Sequence, residues 1–439
     1  MKRNLRSAVA LFDQGIVSLT SFLTALLVGR TCGKVELGIF TLAWTLLSVI
    51  SELSGALITT PYTVFSPRFS RGRNRRYLGS MVVHQAALSL LASALMIAVL
   101  TGIYALAWLS RSTTIEFASA AAALVLWSVK EFARRVSFAQ LKMGAALATD
   151  MIACTLQLAG MLALWWAGAL NVTNTLVLMA LSNGAAAVCW LWANRRKFRL
   201  EPRLFYSDLA GNWQFSRWVL GSGFLSSIAR YLFPWLLAAY HGSSATGIWA
   251  SCTSIVAMCN PVVVGLSNYT LPRISTVHAQ SGLVAMRKRV NTFSIVLASS
   301  LLPVALALSV SGETLVTRVY GPAFTGTSAI LALLAWNLLV NSVTNPYSQG
   351  LFTLNRAKED TVINAMWVGF LFTAGIVAVR NYSVVGAAAA LLAGSVLTAM
   401  VRAFYFWNVQ VASVSPNQAR SSTCGSLKLA ERRAKGFQT

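Results

Sequence analysis

The sequence predicts an all-α polytopic membrane protein of about twelve transmembrane helices, in two six-helix lobes related by a parallel internal repeat. Three observations predict this class. The chain of 439 residues is 56% hydrophobic and 11% charged, whereas a soluble protein carries about 25% charged residues. Its basic residues cluster in short segments between apolar runs, and its two halves share residues at a nearly constant offset.

Each predicted span contains the ~20 apolar residues that cross a hydrocarbon core of ~30 Å. The spans lie at about 10–29, 38–61, 80–108, 116–137, 146–167, 174–193, 216–240, 246–270, 291–312, 327–351, 361–379 and 384–407. If both termini are cytoplasmic, thirty of the 36 Lys and Arg residues fall on the inner side and five on the outer side. Cytoplasmic loops are enriched in Lys and Arg. The net charge of +24 therefore indicates membrane topology and not nucleic-acid binding.

An internal repeat at an offset near 209 residues supports the two-lobe arrangement. The matches at this offset are Gly33 with Gly242, Gly38 with Gly247, Trp127 with Trp336 and Gln140 with Gln349. At an offset four residues shorter, 66–70 matches 271–275. Six helices, an even number, separate equivalent points, so both halves should have the same orientation. We therefore expect an N-terminal lobe at 1–193, a basic cytoplasmic linker at 194–215, a C-terminal lobe at 216–409 and a basic cytoplasmic tail at 410–439.

Arg230 lies near the middle of the seventh span and is the basic residue expected at mid-depth. A guanidinium there is rare unless it faces water or a partner, and Pro234 would free the carbonyl of Arg230 and break the helix. In a structural interpretation, Arg230 pairs with a carboxylate of a neighbouring helix or with this carbonyl. In a functional one, it binds an anionic group such as phosphate, which a guanidinium contacts bidentately.

Four carboxamides follow one face of the tenth span at spacings of four residues: Asn337, Asn341, Asn345 and Gln349. They are interpreted either as hydrogen-bonding contacts between helices or as a cavity wall suited to sugar hydroxyls. Pro346 would bend this helix, and Pro261 would interrupt the eighth span.

Two carboxylates, Asp13 and Glu52, lie inside apolar runs. Asp13 is either an acid favoured near a helix N-terminus by the helix dipole or a coupling residue. Glu52 could pair with a basic residue or bind a coupling proton or cation. The cysteines and histidines lack metal-ligand spacing, so the sequence predicts no metal, disulfide or cofactor. It also predicts no enzyme, because no Walker lysine loop, catalytic carboxylate pair or nucleophile motif is found in it.

Two segments carry a family resemblance. Residues 12–44 read FDQGIVSLTSFLTALLVGRTCGKVELGIFTLAW, and residues 130–144 read KEFARRVSFAQLKMG. Both resemble the Wzx-type lipid-linked oligosaccharide flippases of the multidrug/oligosaccharidyl-lipid/polysaccharide exporter superfamily. The resemblance implies two lobes around a central cavity, and translocation of a polyprenyl-diphosphate-linked oligosaccharide across the bacterial inner membrane for surface polysaccharide synthesis.

The same resemblance implies roles for the residues singled out above. Arg230 would hold the diphosphate, and the face from Asn337 to Gln349 would meet the glycan. Rocking of the lobes at Pro234, Pro261 and Pro346 would alternate access. The implied partners are the lipid-linked oligosaccharide, membrane lipids and polysaccharide polymerase machinery, and we expect a monomer.

Other classes of membrane protein should show other features in their sequences. A drug or cation exporter of the same superfamily should have an acidic, aromatic cavity. A carrier of the major facilitator class usually shows a Gly-x-x-x-Asp-Arg pattern after the second helix, where this chain has SPRFSRGRNRRY. A polysaccharide polymerase or ligase should have a long outer loop with catalytic residues, whereas the predicted outer loops are no longer than about 15 residues. A structural scaffold would not need buried polar stripes, which are costly in lipid.

Overall fold

The computed structural model describes residues 2–106, 110–354 and 356–408, so the predicted tail at 410–439 lies outside the described residues. Its helical stretches are Lys2–Ser54, Gly55–Thr59, Thr60–Phe65, Ser66–Arg68, Arg71–Ala105, Arg111–Ala139, Met143–Trp166, Val172–Asn194, Arg195–Lys197, Pro202–Ala257, Asn260–Tyr320, Pro322–Phe324, Ser328–Thr353, Ala357–Phe370, Leu371–Gly375 and Ile376–Asn408. By length and composition, eight stretches of the described residues can cross a membrane, and those at Phe12–Arg68 and Lys358–Asn408 are each long enough for two spans.

Backbone breaks divide the longest stretches. Gly33, Gly242 and Gly282 have φ angles of 87°, 79° and 75°, which glycine adopts at little cost, and Ser383 has a φ of 51°. Counted between these breaks, and with the turn at Met258 and Cys259 kept within one helix, the described residues form twelve long helical segments, the predicted number. They are α1 (2–32), α2 (34–65), α3 (71–105), α4 (111–139), α5 (143–166), α6 (172–194), α7 (202–241), α8 (243–281), α9 (283–320), α10 (328–353), α11 (357–382) and α12 (384–408).

The internal repeat is visible in the backbone. The repeat mates Gly33 and Gly242 have nearly the same angles, with ψ of −179° and 174°. The mates Gly38 and Gly247 lie where α2 and α8 touch. A Cβ on Gly38 would lie 1.9 Å from the carbonyl oxygen of Ser243, and one on Gly247 would lie 1.8 Å from that of Lys34. Equivalent residues of the two halves therefore make reciprocal contacts.

Further contacts between the halves lie at the Gly33 end, which is the side of the bundle where α1 ends and α2 begins. Arg30 donates hydrogen bonds to the carbonyl oxygens of Arg318 and Val319, each at 3.2 Å. The ring of Tyr320 packs so closely on Gly29 that a Cβ there would lie 2.6 Å from it. Helices α1 and α2 are thereby joined to α8 and α9 at this end.

The predicted linker is helical from Pro202 onward, so α7 starts well before the predicted span. A proline is favourable at the start of a helix, where its missing N–H has no intrahelical partner to lose. Residues four apart on α7 then meet residues four apart on α3: Asp208 pairs with Arg73, and Asn212 accepts a hydrogen bond of 2.6 Å from the Tyr77 hydroxyl. These contacts attach the start of α7 to the first half of the chain.

The prediction that Pro234 breaks the seventh helix is wrong. The backbone keeps helical angles at Pro234 and Pro346, and the break in this part of the chain lies at Gly242. A proline removes one N–H but keeps a negative φ, whereas a positive φ favours glycine. Pro261 does lie at an interruption: the turn at Met258 and Cys259 divides α8, and the helix begins again at Asn260.

Candidate functional site: a basic, aromatic cavity

A cavity of about 540 Å³ lies among α1, α2, α4, α5, α6, α7 and α8. Both halves of the chain contribute to it, the first half more than the second. Its lining contains two basic side chains, Lys130 and Arg230, and no carboxylate among the described residues that line it. Aromatic and carboxamide side chains make up much of the remaining surface that a ligand could recognise, among them Trp44, Trp127, Tyr231, Gln14, Gln157, Asn183 and Asn260.

Arg230 and Glu52, singled out separately in the sequence, form an ion pair. Arg230 Nη1 lies 3.0 Å from Glu52 Oε1, and the Tyr231 hydroxyl donates to the same oxygen at 3.4 Å. The hydroxyl of Ser227 donates to Glu52 Oε2. The Arg230 side chain is nevertheless 61% exposed, so it pairs with α2 and still faces the cavity. Both the structural and the functional interpretation of Arg230 are compatible with this geometry.

The second basic residue of the cavity belongs to a buried charge network. Lys130 pairs with Asp150, and the Nε of Arg134 lies 2.7 Å from Asp150 Oδ2. Arg134 also contacts Asp13 Oδ2 and Gln14 Oε1, each at 3.3 Å. The exposed fractions of the Lys130 and Asp150 side chains are 7% and 0%. Burial of charges at this depth requires partners of opposite sign, and the network supplies them.

Asp13 therefore does not lie in the first turn of a helix, contrary to one of its two predicted roles. α1 begins at Lys2, its first turn contains no acidic residue, and Asp13 is buried against Arg134 of α4. The sequence did not reveal this, because the N-terminal charges Lys2, Arg3 and Arg6 precede the apolar run and suggest a later helix start. A coupling role for Asp13 stays a prediction.

Comparisons with solved structures agree with this architecture. The lipid II flippase MurJ in an inward closed conformation superposes with a TM-score of 0.72 and 14% identity, covering 93% of this chain and 88% of that one. An inward-facing multidrug resistance MATE family transporter of the MOP superfamily gives 0.69 and 12%, covering 91% and 97%. An outward-facing transporter of the same description gives 0.60 and 13%, covering 92% and 94%.

The chain has the fold of the MOP superfamily transporters. No family model matches the sequence, and a search of curated proteins finds no match. The likeness therefore concerns the fold, which this chain shares with a multidrug resistance MATE family transporter and with the lipid II flippase MurJ.

The four carboxamides of α10 lie apart from the residues that line the described cavity of this MOP fold. Asn341 donates to Asn337 Oδ1 and to Ser395 Oγ of α12, both at 3.0 Å. Gln349 donates to Asn345 Oδ1 at 2.8 Å and accepts a hydrogen bond from Thr270 of α8. These bonds favour the interpretation of contacts between helices. A role of Asn337, Asn341, Asn345 and Gln349 in binding a glycan stays a prediction.

Sequence reasoning missed Lys130 and Asp150, because it assigned Lys130 to a cytoplasmic segment. It also expected Arg230 to be the basic residue at mid-depth, whereas Lys130 lines the same cavity. One signal was available: Trp127, Lys130 and Arg134 are spaced three and four apart and so share one face of α4. A tryptophan with two basic residues on one face of an otherwise apolar helix indicates a surface that meets something other than lipid.

Proposed function

We propose that the chain is a flippase that moves a polyprenyl-diphosphate-linked oligosaccharide from the cytoplasmic to the outer leaflet of a bacterial inner membrane, for surface polysaccharide synthesis. The observation that carries this proposal is the charge of the cavity. Lys130 and Arg230 line it, and the described lining residues include no carboxylate. A guanidinium and an ammonium together suit a diphosphate, and carboxamides pair with sugar hydroxyls as donors and acceptors.

Transport would proceed by alternating access between two lobes, at 1–193 and 216–409, joined by the linker at 194–215. With cytoplasmic termini, the Gly33 end faces outward, and its contacts between α1, α2, α8 and α9 correspond to a state closed on the outside. Repeated proteins of this kind alternate access by rocking one half against the other. Pro234, Pro261 and Pro346 remain candidates for positions where helices flex.

The ion pair between Arg230 and Glu52 gives this cycle a chemical step. Glu52 is on α2 of the first lobe and Arg230 is on α7 of the second, so their contact joins the two lobes. An arriving phosphate would compete with Glu52 for Arg230, and the released carboxylate could then take up a coupling proton or cation. Binding of the substrate would thereby loosen a contact between the lobes.

A multidrug exporter is the second candidate, because MATE transporters share the fold and aromatic rings bind cations. Cationic drugs, however, require compensating negative charge in the cavity. The lysine and arginine of the described lining favour an anionic substrate instead.

Complementation tests the proposal. A bacterial strain that lacks its own polysaccharide flippase receives the wild type, Arg230→Ala, or Arg111→Ala as a control for an exposed arginine at the start of α4. We expect the wild type and Arg111→Ala to restore surface glycan and Arg230→Ala to restore little, at matched expression. Absence of glycan in strains with a range of glycans, despite well-expressed wild type, would contradict the proposal.

The charge-swapped variant Glu52→Arg/Arg230→Glu separates the two interpretations of Arg230. It keeps an ion pair between α2 and α7 but moves the cation to α2. If Arg230 binds phosphate from its own position, the swap remains inactive although the protein folds. Full activity of the swap would mean that the pair only holds the helices together.

A further inference from the structure

We propose that Trp44 and Trp127 form an aromatic platform that binds the first sugar of the lipid-linked substrate, next to the phosphate group held by Lys130. This inference rests on the proposed function and assigns to that cavity a sugar subsite in the first half of the chain. It differs from the sequence-based expectation, which placed the glycan against α10.

The two indole rings are neighbours in the cavity wall. Trp44 of α2 and Trp127 of α4 both line the cavity, and their ring centroids lie 5.3 Å apart at an angle of 52°. Aromatic pairs at this separation are favourable contacts, so each ring helps to fix the other. The rings thus present a fixed apolar surface to the cavity.

The indole N–H groups of this pair differ from those of other tryptophans in their hydrogen bonding. In the part of the chain that the structure describes, neither donates a hydrogen bond to the protein. Other tryptophans differ: Trp190 donates to Ser137 at 2.9 Å, and Trp336 donates to Ser309 at 3.2 Å. Tryptophan N–H groups usually find a partner when buried, and a sugar hydroxyl is a suitable acceptor.

The repeat sharpens this contrast, because Trp336 is the repeat mate of Trp127. The mate in the second half donates its N–H to Ser309, whereas Trp127 lines the cavity and donates to no other described residue. A tryptophan that served packing alone would need no such difference between the halves. Its position in the cavity therefore points to a ligand contact in the first half.

The order of groups along α4 matches the order of groups in the substrate. Trp127 and Lys130 are three residues apart and so lie on one face of the helix. In a polyprenyl-diphosphate sugar, the first ring is bonded directly to the phosphate. A phosphate bound by Lys130 would bring that ring to the level of Trp127, where its apolar C–H face can stack on the indole.

The charge of the cavity decides between a sugar and an organic cation as the occupant of the platform. Aromatic faces attract both, but the charged groups in the described cavity wall are Lys130 and Arg230, whose partners Asp150 and Glu52 do not line it, so an organic cation meets no carboxylate there. A sugar ring is neutral, and its phosphate is attracted by both residues. The combination of indole faces, free N–H donors and basic neighbours fits an anionic glycolipid.

Binding measurements test the platform with two probes in lipid nanodiscs: a polyprenyl-diphosphate-linked N-acetylglucosamine, and the same polyprenyl diphosphate without sugar. We expect the wild type to bind both and the glycolipid more tightly. Trp44→Leu and Trp127→Leu should each weaken glycolipid binding about tenfold, the scale of one lost aromatic stacking contact, and leave the sugar-free lipid unchanged. Trp127→Phe should lose less affinity for the glycolipid, since it keeps an aromatic ring.

Two control variants make the outcomes distinct. Trp336→Leu, at the repeat mate, should leave the affinities for both probes unchanged, and Arg230→Gln should weaken both probes. The wild type could bind both lipids while the Trp44 and Trp127 variants bind the glycolipid normally, or lose affinity for both lipids equally. In either case the two indoles do not form a sugar-binding platform, and the proposed function stands. If the well-folded wild type binds neither lipid, the proposed function itself is wrong, and the platform with it.

Discussion

Lys130 and Asp150 form the most deeply buried ion pair of the cavity region, with Arg134 as a second partner of the carboxylate. Loss of one member of a buried pair leaves the other charge without compensation, which typically costs about 3–5 kcal/mol. Replacement of both members costs less, because no uncompensated charge is left. The pair therefore has a structural role that can be separated from contact of Lys130 with a ligand.

We predict that Asp150→Asn lowers the free energy of unfolding of the purified protein in detergent by about 3 kcal/mol or more. Its melting temperature falls accordingly. Lys130→Met/Asp150→Asn should regain part of this loss, since Arg134 keeps Asp13 and Glu131 as partners. The double variant should nevertheless fail in complementation, because it lacks the cation that lines the cavity. Thermal unfolding checks the first statement, with Lys142→Met as an exposed control. A double variant that transports normally would show that Lys130 does not contact the substrate.

At the scale of elements, α2 and α8 bring the backbones of the two halves into direct contact at the Gly33 end. The backbone of each helix occupies the space of a side chain on the other, at Gly38 and at Gly247. An added methyl group on either residue cannot be accommodated by rotation of a side chain, since it would meet backbone atoms. The helices must separate, and the state closed at this end must lose stability.

We predict that Gly38→Ala and Gly247→Ala each shift the protein toward a state open at the Gly33 end. A cysteine introduced at Thr41, which lines the cavity, should react several-fold faster with a membrane-impermeant thiol reagent applied from that side, in a background without the native cysteines. Gly102→Ala is the matched control, because a Cβ at Gly102 of α3 meets nothing within 4 Å. Unchanged labelling in both glycine variants would show that this contact does not close the cavity.

At the scale of the whole molecule, the sequence was sufficient for the architecture and insufficient for the cavity. The segregation of Lys and Arg gave the number of helices, since one missed span would have reversed every later loop. The match of Gly33 with Gly242 was a true repeat, because both positions require a positive φ. These features can be read from local sequence, because each helix has its own apolar length and its own flanking charges that fix its place in the membrane.

The site depends on which helix faces meet, and no periodicity in one chain specifies that. Asp150 could be paired with Lys130 and Arg134 only after α4 and α5 were placed side by side. The sequence left two interpretations of the α10 carboxamides open, a cavity wall and contacts between helices. Their partners Ser395 and Thr270, on other helices, favour the second. Pro234 did not break its helix, because a helix tolerates the loss of one N–H when neighbouring groups support it, whereas Pro261 does follow a turn.

The most direct test of the account is lipid translocation by the purified protein in liposomes. A polyprenyl-diphosphate-linked sugar with a fluorescent label is incorporated, and its appearance in the other leaflet is measured with a membrane-impermeant quencher. Parallel liposomes measure transport of a cationic dye such as ethidium. The account predicts translocation of the glycolipid, loss of translocation in Arg230→Ala and no transport of the dye. Transport of the dye without translocation of the glycolipid would contradict it and would identify a drug exporter.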